Sequence, residues 1–256
     1  MRLVILPFFV LLLAAETKPA VARSSKPYDV TFEERGIFND TVKLGRVFRN
    51  SRNARGDEYS ETVQKFNPGA GYQEMLVERQ DGVVFRGSAT LRSKSTYQLP
   101  KSEVDLLNEW KPDPKQQCRT AFAGTVSQSV TIPDYLGTET YEGQTVFRLG
   151  AHGQAGADEK LVAPELGCLV LWRINKFHKA DGTLESTTVL ETTSITLAEP
   201  PAALFEPDHS WTEEAPSARF RKKLDVIAPA MPAAEKARQI AKLERLDRNY
   251  SSAKKQ

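Results

Sequence analysis

Tyr72-Gln-Glu-Met-Leu-Val-Glu-Arg-Gln-Asp-Gly-Val-Val-Phe85 reads as two strands and the turn between them. Tyr72 to Val77 and Val83-Val84-Phe85 are rich in aromatic and β-branched residues, which suit a pleated, half-buried surface. Asp81-Gly82 tolerates the left-handed backbone that a tight reversal needs. Working outward, apolar residues recur at period two in Tyr28-x-Val30-x-Phe32, Val42-x-Leu44 and Ala89-x-Leu91, with further turn signals at Arg55-Gly56-Asp57 and Asn67-Pro68-Gly69. Period two with one solvated face predicts antiparallel strands, so Tyr28 to about Leu99 reads as a meander of hairpins.

Ser102-Glu-Val-Asp105 then resembles a capping box, and Val104, Leu106, Leu107 and Trp110 follow at helical spacings, predicting a short helix that Pro112 and Pro114 stop. Its apolar face needs a sheet to pack on. Strands are expected again at Arg119 to Ile132, Gly137 to Tyr141 and Thr145 to Leu149. Leu166-Gly-Cys-Leu-Val-Leu-Trp172, apolar on both faces, predicts a central strand. Ala180-Asp181-Gly182 turns the chain into a threonine-rich strand from Thr187 to Leu197, and Leu204 and Phe205 read as a plug for the core. Ala215 to Pro232 reads as a Pro/Ala linker, and Ala233 to Tyr250 as a charged helix with a thin stripe of Ala237, Ile240, Leu243 and Leu246. The predicted class is mainly β (α+β): residues 28–207 as antiparallel strands packed on a short helix, and 208–256 as linker and basic helical or disordered tail.

At the other end, one arginine precedes the apolar run Leu3 to Ala15, and small residues follow. A charged start, about 13 apolar residues and small residues form the three parts of a secretory signal, whereas a spanning helix needs roughly 20. Cleavage is expected after Ala22, within residues 1–22 as signal peptide, with Ala14-Ala15 as the competing site and an uncleaved anchor as the alternative. No cysteine stands behind the run for a lipid anchor. Export to the periplasm or beyond makes a Cys118–Cys168 disulfide the expectation, closing a loop worth roughly 4 kcal/mol in the chain-entropy model, with two buried free thiols as the alternative. From Ser217 onward there are eleven basic residues against four acidic ones, +7 in a chain of net +2, so attraction to an anionic surface or polymer is local to the tail. With only Phe220 and Tyr250 interleaved, base stacking has little to use, and specific nucleic-acid binding is not expected.

Catalytic signatures are missing: there is no Gly-x-Ser-x-Gly elbow, phosphate loop, His-Glu-x-x-His helix or Cys-x-x-Cys pair. Gly150 to Gly156 reads as a flexible hairpin loop. His152, His178 and His209 sit at no metal-ligand spacing and read as loop histidines; no metal and no cofactor are expected. Glu33-Glu34 and Glu213-Glu214 are adjacent, which in strands sends the two carboxylates to opposite faces. Arg55-Gly56-Asp57 is what a tight turn prefers, and Asn39-Asp-Thr41 matters as a glycosylation acceptor only in a eukaryotic secretory route.

Three stretches carry a resemblance: Leu136-Gly-Thr-Glu-Thr-Tyr-Glu-Gly143, Ala163-Pro-Glu-Leu-Gly-Cys-Leu-Val170, and Ile195-x-Leu-Ala-Glu-Pro-Pro-x-x-Leu204-Phe-Glu-Pro207. Together they resemble the C-terminal half of a group of secreted bacterial β-rich proteins, which in turn look like the periplasmic lipoprotein-carrier (LolA-like) half-barrel. The resemblance implies that residues 28–207 form one curved antiparallel sheet, a half-barrel over the short helix, with an apolar ligand site between sheet and helix, and no catalytic residue carries over. Phe85, Leu91, Phe122, Phe147, Val170 and Trp172 are the candidate cavity lining, positions that equally suit an ordinary packed core. The leading expectation is a non-enzymatic envelope protein that binds a lipid or other hydrophobic small molecule. A scaffold docking through the cationic tail is the second reading and a hydrolase the third; oligomeric state is open.

Overall fold

The computed structural model describes residues 26–38, 41–65, 71–99, 101, 104–105, 113–122, 124–126, 129–153, 156–179, 181–229, 231–241 and 247. The predicted secretory signal lies outside these residues. So do the Asn67-Pro68-Gly69 turn and Leu106, Leu107 and Trp110 of the predicted helix, of which only Lys101, Val104 and Asp105 are described, all helical.

Six strands form the expected meander: β1 (Tyr28–Phe38), β2 (Thr41–Arg52), β3 (Glu58–Lys65), β4 (Gly71–Glu78), β5 (Val83–Ser88) and β6 (Ser93–Gln98). A helix α1 (Pro114–Ala121) and a small hairpin of β7 (Gly124–Val126) and β8 (Ser129–Thr131) follow. The chain then meanders back through β9 (Asp134–Tyr141), β10 (Gln144–Gly153), β11 (Gly156–Ala163), β12 (Leu169–His178) and β13 (Leu184–Thr196). After β13 come a 3-10 turn (Ala202–Phe205), β14 (Thr212–Glu213), α2 (Pro216–Ile227) and α3 (Ala233–Ala241).

The large sheet has twelve strands in the order β14-β6-β5-β4-β3-β2-β1-β13-β12-β11-β10-β9. It is open and curved in the manner of a half-barrel, with β14 and β9 at its two edges. The chain starts at the middle of this sheet, runs out to one side, crosses to the far edge and returns to its own beginning. The closing seam is the antiparallel pairing of β1 with β13, from Asp29↔Thr196 to Ile37↔Thr187. Tyr28, Val30 and Phe32 are buried here, as period two requires, in a core shared with Val146, Leu161, Leu166 and Leu171. Phe205 plugs a second core against Tyr59 and Val77, with Leu204 half-buried beside it.

Several segments differ from the sequence reading. Arg119 is not in a strand but on α1, because Asp113 caps that helix: its Oδ1 accepts from the Lys115 N–H (2.9 Å). Pro114 sits in the first turn, where a missing N–H costs nothing, so a residue read as a stop is a start. The strand expected from Leu166 begins at Leu169, since Gly167 (φ 71°) and Cys168 (φ 66°) are both left-handed and break it. Ala89 and Leu91 form a turn between β5 and β6, and Gly150 to Gly153 extends β10. The β layer also does not end at Pro207: β14 adds to β6 in parallel, and Glu213 accepts from the Thr96 N–H (2.7 Å). Finally, the stretch read as a linker contains α2, which is anchored by a buried arginine, Arg219.

Candidate functional site

Register places alternate residues of β1 to β4 on one face. Tyr28, Val30, Phe32 and Glu34 stand opposite Arg52, Asn50, Phe48 and Arg46; these continue to Glu58, Ser60 and Thr62, and then to Glu78, Leu76 and Glu74. Across this face runs a trough made of three hollows. The first, about 380 Å³, is walled by Phe32, Phe48, Leu190, Val170, Leu169 and Phe122. The second, about 260 Å³, shares Tyr28, Asn50, Glu58 and Leu169 with it and extends to Leu76 and Glu78. A third, about 190 Å³, shares Ser60 and Leu76 with the second and reaches Glu74 and Arg86.

One end of the trough is built by α1. Its Cys118 is bonded to Cys168, at the mouth of β12, as the sequence led us to expect. Around the bridge Phe147, Leu149 and Val162 are buried, with Phe122, Tyr135 and Val170 packed against them. Lys160, itself buried, sets its ammonium 4.8 Å from the Phe122 ring centroid and pairs with Asp158 (2.5 Å). The other end is covered by α2. Glu74 accepts from Arg219 Nη2 (2.9 Å) and from Lys223 Nζ, and the Lys223 ammonium lies 5.4 Å from the Tyr72 ring centroid. Burial works against ionisation of Glu74, but the hydrogen bonds and charges of Lys223 and Arg219 outweigh it and hold the carboxyl below the usual range.

The floor between these ends is amphipathic rather than wholly apolar. Arg52, only 3% exposed, donates to Glu58 and lies over the Tyr28 ring, 5.4 Å from its centroid. Arg173 Nη2 donates to Glu34 Oε2 (3.1 Å), and Arg46 approaches Glu34 Oε1 (3.5 Å). Every charge named here has an opposite partner, which is the condition under which charges tolerate partial burial. Gly167 fits against this floor: a Cβ there would meet Arg52 Nη1 at 2.4 Å, and its φ is left-handed. We therefore expect Gly167→Ala to cost about 2–3 kcal/mol through backbone strain and displacement of a buried guanidinium, read as a lower midpoint of urea unfolding. A change below about 0.5 kcal/mol would show that Arg52 has room to shift.

Of the six lining residues expected from the sequence, the structure brings Phe122 and Val170 into the trough. Phe147 lies beneath it in the disulfide-centred core. Trp172 packs on the core of Tyr28, Val30 and Phe32. Phe85 pairs with Val77 and joins Tyr59 and Phe205, away from Leu76 and Glu78. Leu91 is in the β5–β6 turn. The sequence reading missed Phe48, Leu190 and all the paired charges. Phe32 and Phe48 were findable, since they are direct register partners at period two.

The remaining candidates stay apart. His152 lies in β10, His178 ends β12 and His209 is exposed in a turn; among the described residues no group of three or more His, Cys, Asp or Glu side chains is arranged to hold a metal. Glu33 and Glu34 point to opposite faces, one towards Arg35 and the other towards Arg173. Among the described residues no helix is long and apolar enough to cross a membrane.

Fold and trough together define a class: a mainly β protein with one curved, open sheet and helices at both ends of one face. No family model and no curated protein matches the chain. Among solved structures it is similar to PNGF-II, at 12% identity over 71% of this chain and 30% of that one, with a TM-score of 0.37. It is also similar to a chain of the Pseudomonas aeruginosa MucA/MucB complex, at 15% identity over 77% of this chain and 62% of that one, TM-score 0.38. A third is the LolA superfamily protein NE2245 from Nitrosomonas europaea, at 10% identity over 72% of this chain and 92% of that one, TM-score 0.29. The chain thus spans about 30% of PNGF-II and about three-fifths of the matched chain of the MucA/MucB complex.

Proposed function

We propose that this is an exported, non-enzymatic binding protein whose trough takes an amphipathic small molecule with a long apolar part, such as a lipid. The observation that carries the reading is the trough itself, with Phe32, Phe48, Leu190, Val170 and Phe122 as apolar wall and paired charges along its floor. An apolar chain gains burial against that wall, and a polar end finds hydrogen-bonding partners in Asn50, Arg52, Glu58 and Arg173. Export draws support from the N-terminal apolar run and from the disulfide, which persists in oxidising compartments.

The test is a fluorescent fatty-acyl probe titrated onto the purified protein, together with mass spectrometry of organic extracts. Micromolar binding is expected, and Val170→Asp or Leu190→Asp, each placing a charge on the apolar wall, is expected to weaken it at least about tenfold, or 1.4 kcal/mol. No binding at micromolar probe and no lipid in the extract would sink the proposal.

The second reading, a scaffold docked through its cationic tail, has fewer cations to draw on than composition suggests. Arg219 and Lys223 pair with Glu74, Lys222 with Glu214, Lys236 with Asp225 and Arg238 with Glu235. Residues 242–246 and 248–256, which hold the other tail cations apart from Arg221, lie outside the described residues.

A further inference from the structure

The rows of register partners give the trough a direction. Phe32 and Phe48 lead across the sheet to Thr62 and Glu74, and Val30 leads through Asn50, Ser60 and Leu76 to Arg86 on β5. The third hollow, lined by Ser60, Thr62, Glu74 and Arg86, is therefore the polar end. Arg86 differs from the cations described above. Arg46 and Arg173 reach Glu34, Arg52 reaches Glu58, and Arg219 and Lys223 reach Glu74. Half-buried Arg86 stands between Leu76 and Ser95, both uncharged, and among the described residues no carboxylate comes within ion-pair distance of it. Its diagonal neighbours on β4 are Glu74, already shared by two cations, and Glu78, which lines the second hollow. Around the third hollow Arg86, Arg219 and Lys223 thus face a single carboxylate, Glu74.

From this arrangement we infer that the third hollow is the head-group subsite for an anionic amphiphile, with the Arg86 guanidinium donating to a carboxylate or phosphate and the Ser60 and Thr62 hydroxyls beside it. A partly desolvated cation without a counter-charge gains most from an anion that brings several acceptor oxygens, and the guanidinium fork matches carboxylate and phosphate geometry. The inference rests on the trough reading above and narrows it. The paired charges at Arg52 and Arg173 can hydrogen-bond uncharged polar atoms, whereas Arg86 selects a negative one. The dimensions agree with this placing. Four strand spacings separate β5 from β1, about 19 Å across the sheet. The acyl chain of a membrane lipid fills one half of the hydrocarbon core, about 15 Å. A head on Arg86 therefore lays its tail over Leu76 and Leu169 and brings the end of that tail to the apolar wall at Phe48 and Phe32.

The experiment measures displacement of the fluorescent acyl probe from the full chain by palmitate, hexadecyl phosphate and hexadecanol, which share an apolar chain and differ in the head. Read as dissociation constants, both anions are expected to bind about tenfold more tightly than the alcohol. Arg86→Met keeps an apolar stem over Leu76 and is expected to remove that preference while leaving hexadecanol within about twofold of the parent. Its unfolding midpoint is expected to stay at or above that of the parent, since no ion pair is lost. Arg221→Met removes an exposed cation of α2 and is expected to leave the preference intact. Equal binding of all three amphiphiles, a preference that survives Arg86→Met, or one lost equally in Arg221→Met would each overturn the inference and leave the trough reading standing. If inorganic phosphate competes as tightly as hexadecyl phosphate, the hollow takes the free anion and the head-group assignment fails. If no acyl probe binds, or no amphiphile displaces it, the trough reading fails and the subsite falls with it.

Discussion

Replacing both Cys118 and Cys168 with alanine is expected to lower stability by roughly 4 kcal/mol, a large share of the 5–15 kcal/mol typical of a folded domain. The bridge joins residues separated by 50 positions, and that loop holds β7 to β11. Without the bond the unfolded chain regains the freedom of the loop, and the native state loses the tie between α1 and the start of β12. Both sulfurs are buried among Phe147, Leu149 and Val162, so each substitution also leaves a small void, which adds to the loss. The measurement is urea unfolding of the double variant beside the parent, with and without reductant. Reductant is expected to bring the parent most of the way down to the variant, stopping short by the contribution of the voids, and to leave the variant unmoved. A difference below about 1 kcal/mol would mean that packing alone holds α1. Because Phe122 follows α1 and lines the trough next to Val170 and Cys168, acyl-probe affinity is expected to fall along with stability.

The meander from β1 to β6 was legible because its determinants are local. Alternation in Tyr28-x-Val30-x-Phe32 and the Asp81-Gly82 turn are read within a few residues, and both hold in the structure. The seam between β1 and β13 was not legible, since pairing residues 150 or more positions apart has no short-range signature. Local signals also misled where two readings share a residue type. Pro114 stops a helix that precedes it and opens one that follows it, and only the cap from Asp113 decides between them. The same ambiguity hid the floor of the trough. In a strand that alternates apolar with charged residues, Arg52, Glu58 and Arg173 read as the solvated face. What makes them trough residues is a partner on another strand: Glu58 for Arg52, and Glu34 for Arg173. Phe122 and Val170 were found because an apolar wall needs only apolar residues, whereas a paired charge needs a register.

The cationic C-terminal segment shows the same point with a larger energetic consequence. By composition it is a basic tail, yet α2 lies over Glu74 with Arg219, 2% exposed, and Lys223 as its contacts. Glu74→Gln keeps the shape of the side chain but removes the negative charge from two cations, one of them buried. Breaking a buried pair from one side costs about 3 kcal/mol or more, because the remaining charge has lost its compensation. Expected outcomes are a lower unfolding midpoint and faster trypsin cleavage after the exposed Arg221 and Lys222, as α2 lifts from the sheet. The pH dependence has a definite sign. Glu74 is held below its ordinary value of 4.5, so its contribution is present above the unfolded carboxyl range and is lost as pH falls through 4.5 and on through the lowered folded value. Over that acidic window the parent is expected to lose stability faster than Glu74→Gln, and the two curves converge. A triple change, Glu74→Leu with Arg219→Met and Lys223→Met, removes every charge of the cluster and is expected to recover much of the loss, since well-packed apolar groups replace buried ion pairs at little net cost. If Glu74→Gln melts like the parent at neutral pH, the ion pairs contribute nothing measurable and α2 is held by its apolar contacts alone. If the triple variant is less stable than Glu74→Gln, the arginine and lysine have uses in the fold beyond Glu74.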